Sequence, residues 1–121
     1  MSEKSNFTKN VSEPWFSLIK CQLKRVEGRL LKGDFLKMNK GDYVTWTNND
    51  LGFPRSCKTM ITSIHHYNNF KDYLNSEGIN KCLPGIDNLD QGLSVYYRYF
   101  SRQQEQDLGI VAIRLKKVSD N

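Results

Sequence analysis

The chain has 121 residues, 38% of them hydrophobic, which suits one domain with a packed core. Lys and Arg number 18 against 13 Asp and Glu, a net charge of +5; this favours anionic partners such as nucleic acid, although basic globular proteins without them are common. No apolar run approaches the roughly 18 residues that span a bilayer, and residues 1–10 are too polar for a signal peptide. Membrane attachment is therefore not expected, and the expected location is intracellular, in cytoplasm or nucleus.

Residues 1–11 are polar and expected to form a flexible tail. Ser12 suits a helix N-cap, with Pro14 in the first turn, where a missing amide hydrogen does no harm. Trp15, Leu18 and Ile19 then recur at helical spacing, predicting a short helix over 13–22 with Trp15 and Leu18 inward. Trp15 is a core residue on that reading, or else a stacking platform for a base.

The next stretch, Lys24-Arg25-Val26-Glu27-Gly28-Arg29-Leu30, predicts a strand. Alternation puts Val26, Gly28 and Leu30 on one face and Arg25, Glu27, Arg29 and Leu31 on the other, with Glu27 and Arg29 roughly 6.5–7 Å apart. Gly28 weakens a strand interior and marks a bulge or a close backbone approach. Lys24 is out of phase with Glu27 and meets it only from a turn before the strand.

Asn39-Lys40-Gly41-Asp42 is a turn signature, followed by a strand over 43–47, a hairpin loop over 48–52 and a long strand over 53–66. Pro54 suggests an edge position or a late entry into pairing. His65 and His66 are adjacent and point to opposite faces, so they cannot share one metal. Helices are predicted over 70–77, capped by Asn68 or Asn69 and stopped by Gly78; from Asn88 or Asp90 through Leu93, Tyr96, Tyr97 and Phe100; and over 102–107, capped by Ser101. Ile110 to Leu115 form a final strand, with 118–121 as a fraying tail. Cys21, Cys57 and Cys82 are odd in number and lack CxxC spacing, so neither a disulfide framework nor a zinc site is indicated. No cofactor is expected.

The fold class is therefore α+β: a small, strongly curved sheet or barrel with helices over its openings. The helix 14–20, the stretch Lys24-Arg25-Val26-Glu27-Gly28-Arg29, the turn Lys40-Gly41-Asp42 and the ending Gly109-Ile110-Val111-Ala112-Ile113 resemble an ASCH domain, of the PUA-like superfamily. The resemblance covers residues 12–117 and centres on a G-x-K-x-x-E-x-R pattern, with Gln22 where glycine is usual. It implies a small PUA-like β-barrel with flanking helices and a cleft between them, and RNA as a partner. One small bacterial ASCH group that the chain resembles hydrolyses acetylcytidine with a Lys, a Thr three residues later and a Glu after the next helix. These fall on Lys24, Glu27 and Glu77, so a carboxylate stands where that reaction uses a hydroxyl. An acyl-carboxylate intermediate would be a reactive anhydride; Glu27 would instead activate water, with Lys24 on the oxyanion and Glu77 serving the leaving amine. The same set also suits a ribonuclease.

The first reading is an RNA- or nucleotide-binding domain with a cleft lined by Lys24, Glu27, Arg29 and Glu77, and a basic patch of Arg25, Arg29, Lys58, Lys71 and Arg98. A hydrolase acting on a modified cytidine or on RNA is the alternative, and an adaptor recruiting protein partners a third. The bland counterpart is an exposed pair of Glu27 with Arg29 or Arg25 on a solvated strand, worth well under 1 kcal/mol, on the order of surface ion pairs.

Overall fold

The final strand is apolar at every position from Ile110 to Ile113, so it needs cover on both faces. The computed structural model, which describes residues 3–120, provides it. Strand β5 (Ile110–Ser119) lies between β4 (Arg55–Tyr67) and β2 (Val26–Leu30), antiparallel to both. Val111, Ile113 and Leu115 enter one core cluster; Ile110 and Ala112 enter another. The sheet continues through β3 (Tyr43–Asn48) to β1 (Asn6–Asn10), giving the order β1-β3-β4-β5-β2. It curls into a half-barrel flanked by helices, an α+β fold, and leaves β1 and β2 as its two edges.

The first cluster fills the inside of the curl, with Val44, Trp46, Cys57 and Ile61 from the strands and Phe16 and Ile19 from α1 (Trp15–Lys20). The second lies on the outer face, under α2 (Phe70–Glu77), α3 (Ile79–Cys82) and α4 (Leu89–Tyr97). There the Phe70 and Tyr96 rings stack with centroids 4.7 Å apart, and Tyr73 meets Tyr96 edge-on. Helix α5 (Arg102–Leu108) leads into β5. The caps at Asn69, Asn88 and Ser101 form as expected, the last with Gln104 as a full capping box. Pro54 stands just before β4, which is a central strand with a late entry and not an edge.

Three expectations change. Residues 6–10 are not a tail: they pair in parallel with β3, from Asn6 against Tyr43 to Asn10 against Thr47. Their polar composition fits an edge strand, where half the surface faces water. At the other end β5 runs to Ser119, beyond the expected fraying point; residues 1, 2 and 121 of the two expected tails lie outside the described residues. In α1 the inward residues are Phe16 and Ile19, with Trp15 only half-buried, and Ser12 is not a side-chain cap. Glu13 takes that role, its carboxylate accepting the Ser17 amide at 2.8 Å.

The turn from α1 into β2 passes through Gln22 at a φ of 68°, a left-handed conformation that costs a non-glycine residue about 1 kcal/mol. Gln22→Gly should therefore stabilise the fold by about 0.5–1 kcal/mol, because glycine's greater freedom in the unfolded chain offsets part of the relief. A rise in melting temperature of a few degrees is the expected readout; an unchanged or lower value would mean that the strain relieved does not exceed glycine's entropic cost.

Candidate ligand cleft and its neighbouring recess

The turn that Gln22 makes delivers Lys24 to β2. The Leu23 and Lys24 amides both donate to the Leu18 carbonyl, which ends α1 tightly and turns the Lys24 side chain inward. Its ammonium donates to the carbonyls of Val26, at 2.6 Å, and Cys82, and lies 3.2 Å from Glu27 Oε1. The Lys24 and Glu27 side chains are 1% and 7% exposed. The solvated surface pair considered above is thus excluded: this is a buried ion pair, completed by Arg29, whose Nη2 lies 2.9 Å from Glu27 Oε2.

Burial pushes the Glu27 carboxyl pKa up, but the Lys24 and Arg29 charges beside it outweigh this and hold it below its ordinary value. Arg29 also donates to the Asn10 carbonyl at 2.8 Å, so one guanidinium spans the seam between the edge strands β2 and β1. Its carbon sits over the Trp46 and Phe35 rings, at 5.5 and 5.7 Å from their centroids.

A cleft of about 400 Å³ opens over this charged floor, within the usual range for small-ligand pockets. Trp15, Tyr96, Tyr99 and Phe100 form aromatic walls, and Asn10 to Ser12 form the rim on the β1 side. The Tyr99 and Ser12 hydroxyls meet across that rim at 2.8 Å. Ladder phase adds a polar group that composition does not show. The Leu115 amide donates to the Arg25 carbonyl, and the Leu31 amide to the Gly109 carbonyl. These bonds put residues 25, 27, 29 and 31 in hydrogen-bonded pairs with β5. The amide and carbonyl of Gly28 consequently point to the open edge, and Gly28 lines the cleft.

The helical layer also approaches Gly28 closely. A Cβ built there would lie 2.4 Å from Cζ of Tyr73. The expected close backbone approach is thus met by the fully buried Tyr73, whose hydroxyl is 2.7 Å from that of Tyr96.

The predicted site residues divide. Lys24, Glu27 and Arg29 converge, because Lys24 does sit in the turn before the strand. Glu77 does not join them. The apolar stripe of α2 packs on the outer face of the sheet, and the helix end carries Glu77 to Arg114 of β5, whose Nε donates at 2.8 Å, and to the Tyr67 hydroxyl. Burial pushes the Glu77 pKa up, but bonds from Arg114 and Tyr67 bring it below its ordinary value, and the Tyr67 hydroxyl is pushed up to about 12. Glu77 lines a separate recess, together with Arg25. The proposed triad of Lys24, Glu27 and Glu77 is therefore not assembled. With Lys24 held by three acceptors, its ammonium has the hydrogen-bonding capacity of a strut rather than of a free proton carrier.

The basic patch is dispersed as well. Lys58 lies over the Tyr43 ring, 4.4 Å from its centroid, on the β3–β4 pair; Arg98 and Lys71 are exposed and line neither recess. Ser12, Tyr99 and the Gly28 backbone join the site unannounced. Tyr99 falls outside the helical stripe of Leu93, Tyr96, Tyr97 and Phe100, which is the signal that it is exposed, but Ser12 depends on a contact 87 residues away. His65 and His66 pair with Ala112 and Val111 on alternate faces, and no cluster of three possible metal ligands occurs among the described residues. No helix among them is long and apolar enough to cross a membrane.

Two solved structures share this architecture. The crystal structure of the hypothetical protein PH0355 matches with a TM-score of 0.84 and 27% identity, over 93% of this chain and 99% of that one. The solution structure of protein PF0455 from Pyrococcus furiosus matches with a TM-score of 0.75 and 27% identity, over 93% and 97%. No curated protein matches the sequence. The ASCH domain family matches residues 10–119, nearly the whole chain. With its half-barrel, its edge cleft and that match, the chain belongs to the ASCH domain family, whose fold is PUA-like.

Proposed function

We propose that this domain binds single-stranded RNA, holding one base in the cleft without chemical conversion. The observation that carries the reading is the buried Glu27 carboxylate, fixed by Lys24 and Arg29 beside the outward-facing Gly28 peptide and between aromatic walls. A nucleobase needs these features together: an aromatic surface for its face, and a fixed pattern of acceptors and donors for its edge. Each carboxylate oxygen has spare lone pairs after its cation is bound, so Glu27 can still accept from a base amino or imino group. The Gly28 amide and carbonyl add one donor and one acceptor along the same edge. The net positive charge of the chain supports association with a polyanion.

Fluorescence anisotropy with short single-stranded RNAs at low salt tests this. The wild type should bind, with affinity falling steeply as salt rises. Glu27→Gln should weaken binding by roughly 10- to 100-fold, the loss of a charged hydrogen bond worth about 1.5–3 kcal/mol. Absence of RNA binding by the wild type at low salt would overturn the reading, as would a Glu27→Gln variant with unchanged affinity.

A further inference from the structure

The recess that takes up Glu77 has no part in the reading above. Its volume is about 450 Å³, and it shares no lining residue with the cleft. It takes neighbouring residues of the same segment: Lys24 and Glu27 line the cleft, whereas Arg25 and Val26 line the recess. Four cations surround it, Arg25, Lys81, Arg114 and Lys116, against one carboxylate. That carboxylate, Glu77, has a side chain 1% exposed and is already bonded to Arg114 and Tyr67. The recess therefore presents positive charge to solvent with no acidic group free to balance it. Among the described residues, Arg25, Lys81 and Lys116 form no ion pair.

Two of the cations are also held in place. The backbone of Arg25 is pinned on both sides, its amide donating to the Lys81 carbonyl at 3.1 Å and its carbonyl accepting from the Leu115 amide at 2.8 Å. The Arg114 guanidinium is oriented by Glu77 through Nε and Nη2, at 2.8 and 3.3 Å. This uses two of its five N–H groups and leaves the rest for a ligand, on a side chain 46% exposed. One oriented guanidinium, a second arginine on a pinned backbone and two ammonium groups form a binding arrangement suited to phosphate oxygens.

We propose that this recess is a phosphate-binding site formed by Arg25, Arg114, Lys81 and Lys116, and that it holds a backbone phosphate of the RNA strand whose base occupies the cleft. The first half stands on the recess alone; the second rests on the RNA-binding reading. The segment 24–27 then alternates its duties along the chain, with Lys24 and Glu27 serving the base and Arg25 serving the backbone.

Two arms test the halves separately. In the first, inorganic phosphate is titrated into the isotopically labelled protein, with sodium chloride at matched ionic strength as the control. Amide shifts should move saturably in residues 22–26, 76–81 and 114–117, and Arg25→Ala/Lys116→Ala should abolish the response. Both side chains are exposed, so folding should survive, and Arg25→Lys/Lys116→Arg should retain the response. Unmoved amides, or shifts matched by chloride, would overturn the site.

In the second arm, the Arg25→Ala/Lys116→Ala variant should bind single-stranded RNA roughly tenfold more weakly, with the slope of log affinity against log salt reduced by about 0.7 for one lost phosphate contact. An unchanged slope with RNA bound would leave the phosphate site but remove it from the RNA path. If phosphate binds while the wild type binds no RNA, the recess stands and the RNA reading falls.

Discussion

Lys24→Ala should cost about 3–5 kcal/mol of folding stability, because it strips a buried carboxylate of one counter-charge and leaves the Val26 and Cys82 carbonyls without their donor. For a domain of ordinary stability this is a large share of the total. Burial of its side chain makes Lys24 a structural residue as well as a lining residue of the cleft. Glu27→Gln should cost less, about 2–3 kcal/mol, since the amide oxygen still accepts from one of the two cations although the NH2 that replaces the other oxygen cannot. The comparison by urea denaturation separates strut from reader: Lys24 acts mainly on stability, Glu27 mainly on binding. The pH dependence has a definite sign. In the wild type, the folded Glu27 pKa lies below its unfolded value, so its contribution is fully present above the ordinary carboxylate range and is lost as pH falls through the lowered value. In Lys24→Ala, burial meets only the Arg29 charge, so the variant's deficit should be largest near neutrality and shrink in acid. A deficit independent of pH would show that lost packing, not the ion pair, sets the cost.

Gly28→Ala should be the next most damaging change, at about 3 kcal/mol, the upper end of ordinary overpacking. Its Cβ would lie 2.4 Å from a ring carbon of Tyr73, a side chain with no exposed surface and a hydroxyl tied to Tyr96. Neither β2 nor α2 can yield without parting the helices from the sheet. A double-mutant cycle checks the cause. Tyr73→Ala alone opens a cavity, but in the Gly28→Ala background it also removes the clash, so the combined cost should fall below the sum of the two. Additive costs would locate the damage in the strand backbone instead.

The elements built on local rules were legible in the sequence. Asn69, Asn88 and Ser101 cap their helices and Gly78 ends the helix before it, because caps need only neighbouring residues. The alternation that set Glu27 beside Arg29 is equally local, and the long apolar run at 110–113 required a strand covered on both faces. What escaped depends on distant pairing. Residues 6–10 carry too little hydrophobicity to declare a strand, and only β3 makes them one. The order of α1 was misread by one position because Trp15, Phe16, Leu18 and Ile19 are all apolar, so periodicity cannot choose the buried pair. The position of Glu77 followed from which face of the sheet α2 covers, a choice that the spacing of its own residues does not encode.

An open half-barrel has two unpaired strand borders, and such borders invite other chains to add to them. Here two of the edge-facing carbonyls are already taken by side-chain cations: Val26 on β2 by Lys24, and Asn10 on β1 by Arg29. The residues that fix the Glu27 carboxylate therefore also make both borders poor templates for strand addition. Removing Lys24 and Arg29 together would free both carbonyls, and such a variant should self-associate more readily than the wild type.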